Sequence, residues 1–561
     1  VVDDGARSLS PHTDGTPSLR SSRVAILAIA LGLRLFAALT QPIDYNAYWH
    51  VFIARNLSRE YGSLAHPPLF LLLLKASGAV SHSRLALQAI AILSGLGVVA
   101  LAQFLLARLR ASTTVANLGA LTIATAPSAI LLSCGVQSYM LAAVFILWSF
   151  RHYLDLVRPE PSTGWRGRAA FATLASLGLL TEYYTGLYLV ACVAAPALFA
   201  VVRPAYRIAL ARSLRRRLLA DVATLLAPVL VGALLYAVIA KPWIHALNSM
   251  PQFYFQPGRE TAVAFLTRTL ASLFQIFSPV ALRSPGAAAV LVFGFAVVVF
   301  LAVARDRSVE AAAADRAMPA AIFLALLVIG MGMGLRGLYP FGGLMKHQFL
   351  LLLFAILAGF VAFDRLVQSV SRPFARGALL GACALAIAGN FVGHLQDLRP
   401  AGEDPFLAQA RVFEREFPEA RTIQVDQLNL IGLFIPYHDW KWRFVGREPA
   451  NPTVERYELE RGGRRLTLIA HRNWWNFDFH DPAVYTALRS AIRRGDPDEF
   501  AVFCVHTNLY KPPERRLPDL DSKEVTARIT ALGPPAGLEL RKISFQGNDV
   551  YAGFRAMPGS P

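Results

Sequence analysis

The sequence predicts a mainly α-helical, polytopic membrane bundle followed by a smaller α/β domain. Three observations carry that prediction. The 561-residue chain is 55% hydrophobic with a mean hydropathy of +0.43, above the roughly 45–50% apolar content of ordinary soluble domains. Its apolar residues gather in runs of about 18–24, each long enough to cross roughly 30 Å of hydrocarbon. From residue 395 onward the chain turns polar, and short stretches alternate in the manner of strands.

The elements follow in order. Residues 1–22 are rich in Ser, Thr, Pro and Gly, a composition that cannot bury a core, and are predicted to be a disordered cytoplasmic N-terminus. The first apolar run, Val24 to Leu39, has no small-residue cleavage motif after it, so it reads as a span and not as a signal peptide. About eleven spans follow by apolar length: 23–40, 84–107, 115–133, 138–156, 168–182, 185–203, 220–240, 286–304, 317–335, 346–364 and 376–394. The segment 66–80 is apolar but short, and reads as an interfacial helix. Residues 23–394 thus form the membrane module and 395–561 an extracytoplasmic α/β domain. In that domain RTIQVDQ, RRLTLIAHR and FAVFCVH read as strands. LELRKISFQGNDVYAGF reads as a hairpin around Gly547-Asn548. Helices are expected near 406–416 and 483–494.

Basic residues orient the bundle. Arg108 and Arg110 follow the second span, and Arg151, Arg158, Arg166 and Arg168 the fourth. Arg203, Arg207, Arg212, Arg215, Arg216 and Arg217 follow the sixth, Arg305 and Arg307 the eighth, and Arg365, Arg372 and Arg376 the tenth. All five loops lie on one side when the N-terminus is cytoplasmic. Counting 66–80 as a crossing would move the later ones outside. The net charge of +18 therefore marks topology and anionic-lipid contact, and excludes nucleic acid as the partner. The four cysteines, Cys134, Cys192, Cys383 and Cys504, indicate neither a disulfide framework nor a zinc site.

The opposite face receives acids, aromatics and isolated cations. Asp44 follows the first span, with Tyr45 and Tyr48 beside it. His66-Pro67-Pro68 opens the short helix, Gln137-Ser138-Tyr139 opens the fourth span, and Glu182-Tyr183-Tyr184 ends the fifth. Lys241, Arg336, Lys346 and His347 lie at span ends. Ionisable groups at such positions point to function.

In the order DYNAYWHVFIARNL, HPPLFLLLLK, QSYMLAAVFIL and LLTEYYTGLYLV, these segments resemble the GT-C superfamily of integral-membrane glycosyltransferases. They are most similar to bacterial relatives of the protein O-mannosyltransferases and aminoarabinose transferases. The likeness covers about residues 23–205, with weaker agreement to 364. It implies an enzyme that takes a sugar from a polyprenyl-phosphate carrier at the external face of the cell (inner) membrane. It also implies a lipid, polysaccharide or protein acceptor. Many relatives carry Asp-Glu where this chain has Asp44-Tyr45, and several carry a second acid where it has Gln137 and Ser138. Glu182 and Glu60 are the candidates for a second carboxylate. No metal ligands are assigned, and dependence on a divalent cation stays open.

The chemistry follows from residue types. A carboxylate within reach of an acceptor hydroxyl takes its proton as charge develops, the role expected of Asp44, with Glu182 as second acid. The leaving phosphate needs cations, the role expected of Lys241, Arg336, Lys346 and His347, while Tyr45, Tyr48, His66, Tyr139, Tyr183 and Tyr184 line the substrate. One base and direct displacement predict inversion at the anomeric carbon. Structural readings stand beside these. Asp44 can cap a helix, the lysines and arginine can anchor at headgroups, and the tyrosines can belong to an interfacial belt. His66-Pro67-Pro68 can simply start a helix. The loop from Lys241 to Pro285 reads equally as a lid or as a surface helix.

Two rival functions fit the same sequence: a transporter or flippase of lipid-linked glycans, and a non-catalytic assembly protein. A transporter favours ionisable groups at mid-bilayer and paired broken helices. Here the charges sit at one face.

Overall fold

The computed structural model describes residues 17–41, 45–57, 66–81, 83–158, 164–240, 255, 258, 260–277, 284–304, 310–339, 341 and 345–398. Towards the C-terminus it describes the strands and the turn at 462–463. The helices are α1 (Pro17–Thr40), α2 (Tyr45–Arg55), α3 (Pro68–Val80), α4 (Arg84–Arg108), α5 (Thr113–Thr125), α6 (Pro127–Cys134), α7 (Tyr139–Leu156) and α8 (Trp165–Leu179). They continue with α9 (Tyr184–Val202), α10 (Pro204–Leu235), α11 (Ala262–Phe277), α12 (Pro285–Ala304), α13 (Glu310–Leu335), α14 (Met345–Ser369) and α15 (Pro373–Gly393).

The protein is a polytopic helical membrane protein. Among the described residues, eight helices are long and apolar enough to cross a membrane, or nine with the bent pair α5 and α6. Helices stand at all eleven sequence-predicted spans, with two refinements. The run 115–133 is not one straight helix: it breaks at Ala126 and bends by 54°. Pro127 causes the break, because it has no N–H to donate and its ring clashes with the preceding turn. The helices α7 and α8, at the predicted spans 138–156 and 168–182, fall outside the eight. The first carries Arg151 and Asp155, and the second has only 15 residues.

A buried arginine serves the elbow. Arg34 of α1 is wholly inaccessible, donates from Nε to Ser133 Oγ at 3.0 Å, and donates from NH1 to the Ala124 carbonyl at 3.2 Å. That carbonyl lies in the last turn of α5, where intrahelical donors run out.

Packing elsewhere uses small residues, as expected where lipid removes the hydrophobic drive between helices. Ala313, Ala314, Ala317, Ala320 and Ala321 of α13 are fully buried, as are Ala191 and Ala195 of α9. At the basic end of the bundle, Arg108 meets Asp155 at 2.5 Å, Arg158 meets Asp155 at 3.5 Å, and Arg158 also pairs with Asp315. Asp364 accepts from the Ser112 backbone N–H at 2.9 Å. These bonds tie α4, α7, α13 and α14 on the side carrying the basic loops.

The C-terminal part holds a seven-stranded sheet in the order β2-β3-β4-β1-β5-β7-β6. The strands are β1 (Thr422–Val425), β2 (Arg443–Asn451), β3 (Val454–Arg461), β4 (Arg464–His471), β5 (Phe500–Phe503), β6 (Leu538–Phe545) and β7 (Asp549–Ala556). The expected strands are β1, β4 and β5, with β1 parallel to both of the others. The expected hairpin is β6–β7, closing with Phe545 opposite Asp549. The β2–β3 hairpin was not expected. The helices expected near 406–416 and 483–494 lie outside the described residues.

Candidate active site

Four turns at one end of the bundle build the site. The first is the α8–α9 turn. There the Glu182 backbone N–H donates to the Gly178 carbonyl at 2.8 Å. A Cβ on Gly178 would lie 2.8 Å from Thr185 Cγ2, so only glycine lets the two helices approach this closely. The Glu182 side chain is 7% exposed. Its Oε2 accepts from Ser138 Oγ at 2.5 Å, and its Oε1 accepts from the Tyr183 N–H at 3.2 Å.

The second turn joins α6 to α7 and supplies Ser138 and Tyr139. The Tyr139 ring lies nearly parallel to that of Tyr184, with centroids 6.0 Å apart. Tyr184 O–H donates to the Tyr139 carbonyl at 2.6 Å.

The third is the start of α3. The Leu69 N–H donates to the Leu180 carbonyl at 2.8 Å, which fastens the His66-Pro67-Pro68 entry to the Glu182 turn. The His66 ring meets His50 of α2 edge-on, with centroids 4.8 Å apart. His50 is itself buried, its Nδ1 2.8 Å from the Val136 carbonyl.

The fourth turn joins α13 to α14. Gly337, at φ +67, ends α13 with its N–H on the Gly334 carbonyl, while the Leu338 N–H reaches Met333 O at 2.9 Å. This is the paired bonding of a Schellman cap, which needs a left-handed residue at this position. The turn brings Tyr339 back so that its O–H donates to the His347 carbonyl. Lys346 Nζ then lies over the Tyr139 ring at 5.9 Å, and the His347 ring meets Tyr139 edge-on at 6.1 Å.

Electrostatics follow from burial. Loss of hydration pushes the Glu182 carboxyl up to about 7, against the opposing pull of the Ser138 hydrogen bond, the Tyr183 N–H and Lys346. Burial holds the His66 imidazolium well below its usual range, and His50, Lys346 and His347 add repulsion. His66 is therefore a neutral ring at pH 7, with one N–H to give and one nitrogen to accept.

The structure thus brings together His66, Tyr139, Glu182, Tyr184, Lys346 and His347 from the predicted set. Tyr183 caps the same turn. Arg336 is exposed at the end of α13. Tyr45 opens α2 and Tyr48 sits within it. Asp44, Glu60 and Lys241 lie outside the described residues. Of the loop from Lys241 to Pro285, α11 is docked on the bundle: Phe265 and Leu273 are fully buried, as a surface-packed helix requires. His50 and Tyr339 escaped sequence reasoning. His50 carried one usable signal, its place five residues after Tyr45 on the same short helix.

The chain matches no protein-family model, and no curated protein matches it. Among solved structures it is similar to ArnT from Cupriavidus metallidurans bound to undecaprenyl phosphate. The identity is 15% over 94% of this chain and 97% of that one, with a TM-score of 0.48. The same enzyme in the apo state aligns at 13% identity over 96% and 98%, with a TM-score of 0.41. The archaeal oligosaccharyltransferase AglB from Archaeoglobus fulgidus, in complex with an inhibitory peptide and a dolichol-phosphate, aligns at 13% identity. That match covers 75% of this chain and 63% of AglB, with a TM-score of 0.44. At these identities the likeness is one of backbone course, and the chemistry is read from the residues of this chain.

Proposed function

We propose that the protein is a membrane glycosyltransferase. It moves a sugar from a polyprenyl-phosphate carrier to an acceptor hydroxyl at the external face, with inversion. What supports this reading above all is one cluster, drawn from four turns, holding a buried carboxylate, a lysine, two imidazole rings and stacked tyrosines. A transporter path would instead place its ionisable groups near mid-bilayer.

The roles follow from the chemistry. The acceptor oxygen forms the new bond to the anomeric carbon while that carbon's bond to the phosphate oxygen breaks. The hydroxyl proton passes to a carboxylate, and the leaving phosphate keeps the electron pair. Asp44 is the proposed base, just ahead of α2, and Glu182 is the second carboxylate. Lys346 and the N–H groups of His66 and His347 meet the charge that grows on the phosphate. Tyr139 and Tyr184 offer flat faces to the sugar. Residues 395–561 are proposed as a separate extracytoplasmic domain.

The test is to incubate the purified full chain with a panel of polyprenyl-phosphate sugars and membrane lipids, and to read products by mass spectrometry. Asp44→Asn keeps shape but cannot take the proton, so turnover should fall by roughly 10²–10⁴-fold. Near-wild-type turnover in that variant would remove Asp44 from the mechanism.

A further inference from the structure

A partly open cavity of about 780 Å³ lies among the helices of the bundle. One wall is the elbow, with Ala126, Pro127 and Ser128. The opposite wall is α14, where Leu352, Ala355, Gly359 and Phe363 repeat at helical spacing. These positions run from Leu352 to Phe363, which is roughly 16 Å of helix at 1.5 Å per residue. Along α15, Cys383, Asn390 and His394 close the side. Leu352 follows Lys346 by six residues, about 9 Å along the axis and on a different face of the helix. The cavity shares no lining residue with the carboxylate cluster.

Its contents can be argued from its walls. The cavity is partly open and its lining is mainly apolar, so exposing that lining to water would be unfavourable. Water is a poor filler, because each molecule needs two to four polar partners. The lining is mainly Leu, Ile, Val, Phe and Ala, and one of its few polar groups, Thr122 Oγ1, is already spent on the Leu118 carbonyl at 2.9 Å. Asn390 lies in the last turn of α15 and His394 caps it, with the His394 Nδ1 3.0 Å from the Asn390 carbonyl and Nε2 left for a ligand. The surroundings supply hydrocarbon, since α15 is the least buried of the candidate spans and borders the space. An elongated, mainly apolar cavity beside a lipid-exposed helix, with Asn390 and His394 at the end of that helix, fits an amphiphile lying along the bundle axis.

We infer that this cavity is a lipid site: one hydrocarbon chain fills it, and a phosphate or hydroxyl headgroup is hydrogen-bonded at the Asn390–His394 end. The ligand chemistry is shared by a membrane phospholipid and a free polyprenyl phosphate. The site has no lining residue in the carboxylate cluster, and its test reads binding without turnover, so it stands or falls apart from the transferase reading.

The experiment is native mass spectrometry of the full chain after detergent exchange, with phosphatidylglycerol and undecaprenyl phosphate titrated in separate arms. Wild type should retain one lipid equivalent that detergent does not remove, and the arm that saturates it first identifies the source. Ala355→Trp, which puts an indole across the cavity at a position outside the carboxylate cluster, should lose that equivalent. His394→Ala should weaken retention while leaving the cavity open. A wild-type chain that keeps no tight lipid, or an Ala355→Trp chain that keeps it unchanged, overturns the inference. If Ala355→Trp does not insert, diazirine-bearing forms of the two lipids decide the matter on wild type. Labelling of Ser128, Ala355 or Gly359 supports the site, and labelling confined to the bilayer-facing Leu385 and Val392 of α15 overturns it.

Discussion

Glu182 sits in a turn between helices yet sees almost no water, and that combination gives it a distinctive titration. Its carboxyl is pushed up to about 7, mainly because burial penalises the charged form, with Ser138 and Lys346 pulling the other way. A proton acceptor must be ionised, so turnover that depends on Glu182 should rise with pH through about 7 and level off above it. Glu182→Gln should abolish or flatten that limb, and an unchanged pH profile in the variant would remove Glu182 from proton transfer. Stability runs in the opposite sense. The unfolded carboxyl titrates near 4.5 and the folded one near 7, so the native state binds more protons between those values. Stability is greatest below the lower value and falls as pH rises through the higher, by roughly 3 kcal/mol. Thermal unfolding of Glu182→Gln across that window should show this slope removed. Lys346 is tested separately: Lys346→Ala should weaken binding of polyprenyl phosphate by roughly 1.5–3 kcal/mol, the worth of a charged hydrogen bond. Wild-type affinity would make Lys346 a headgroup anchor. Most of these residues were legible in the sequence because each stands at the mouth of an apolar run, where a charge is conspicuous. His50 was not, because it lies inside an aromatic segment and only its buried contact with the Val136 carbonyl sets it apart.

At the scale of elements, the cap of α13 controls the site from a distance. Gly337 holds a left-handed backbone, and through it the chain turns back to place Tyr339 on the His347 carbonyl. Gly337→Ala should cost about 1–2 kcal/mol of stability, the penalty of a Cβ in that conformation. Gly337→Asn should cost less, since asparagine tolerates it. Equal melting temperatures for wild type and Gly337→Ala would contradict the cap. The elements themselves were unevenly legible. Long apolar runs identify helices well, but they hide a bend: Pro127 sits among alanines and leucines, and hydropathy runs through it unbroken. The β2–β3 hairpin was hidden for the opposite reason. Its strand β3 reads VERYELER, where charges interrupt the alternation and even Arg456 is buried beside Tyr457 and Leu459.

Across the whole molecule, the antiparallel course of the spans sorts the loops into two classes. The arginine-rich connections, with the Arg108–Asp155–Arg158–Asp315 chain of ion pairs, gather at one end. The turns carrying Ser138, Glu182 and Lys346 gather at the other. The sheet touches the bundle through Tyr457 of β3, whose ring lies 6.3 Å from that of Phe52 on α2, the same helix that carries His50. Because cytoplasmic loops carry the excess of Lys and Arg, the proposed orientation has the basic end inward, and the site and sheet outward. Single cysteines at two exposed positions test the assignment: Arg212→Cys near the start of α10 and Arg465→Cys in β4. In intact cells a membrane-impermeant maleimide should label position 465 and spare position 212, and disrupted cells should label both. The native Cys134 and Cys192 are buried and contribute little background. Labelling at 212 with protection at 465 would invert the molecule, and would place the carboxylate cluster on the cytoplasmic side, where water-soluble sugar donors are within reach and a lipid carrier is no longer required.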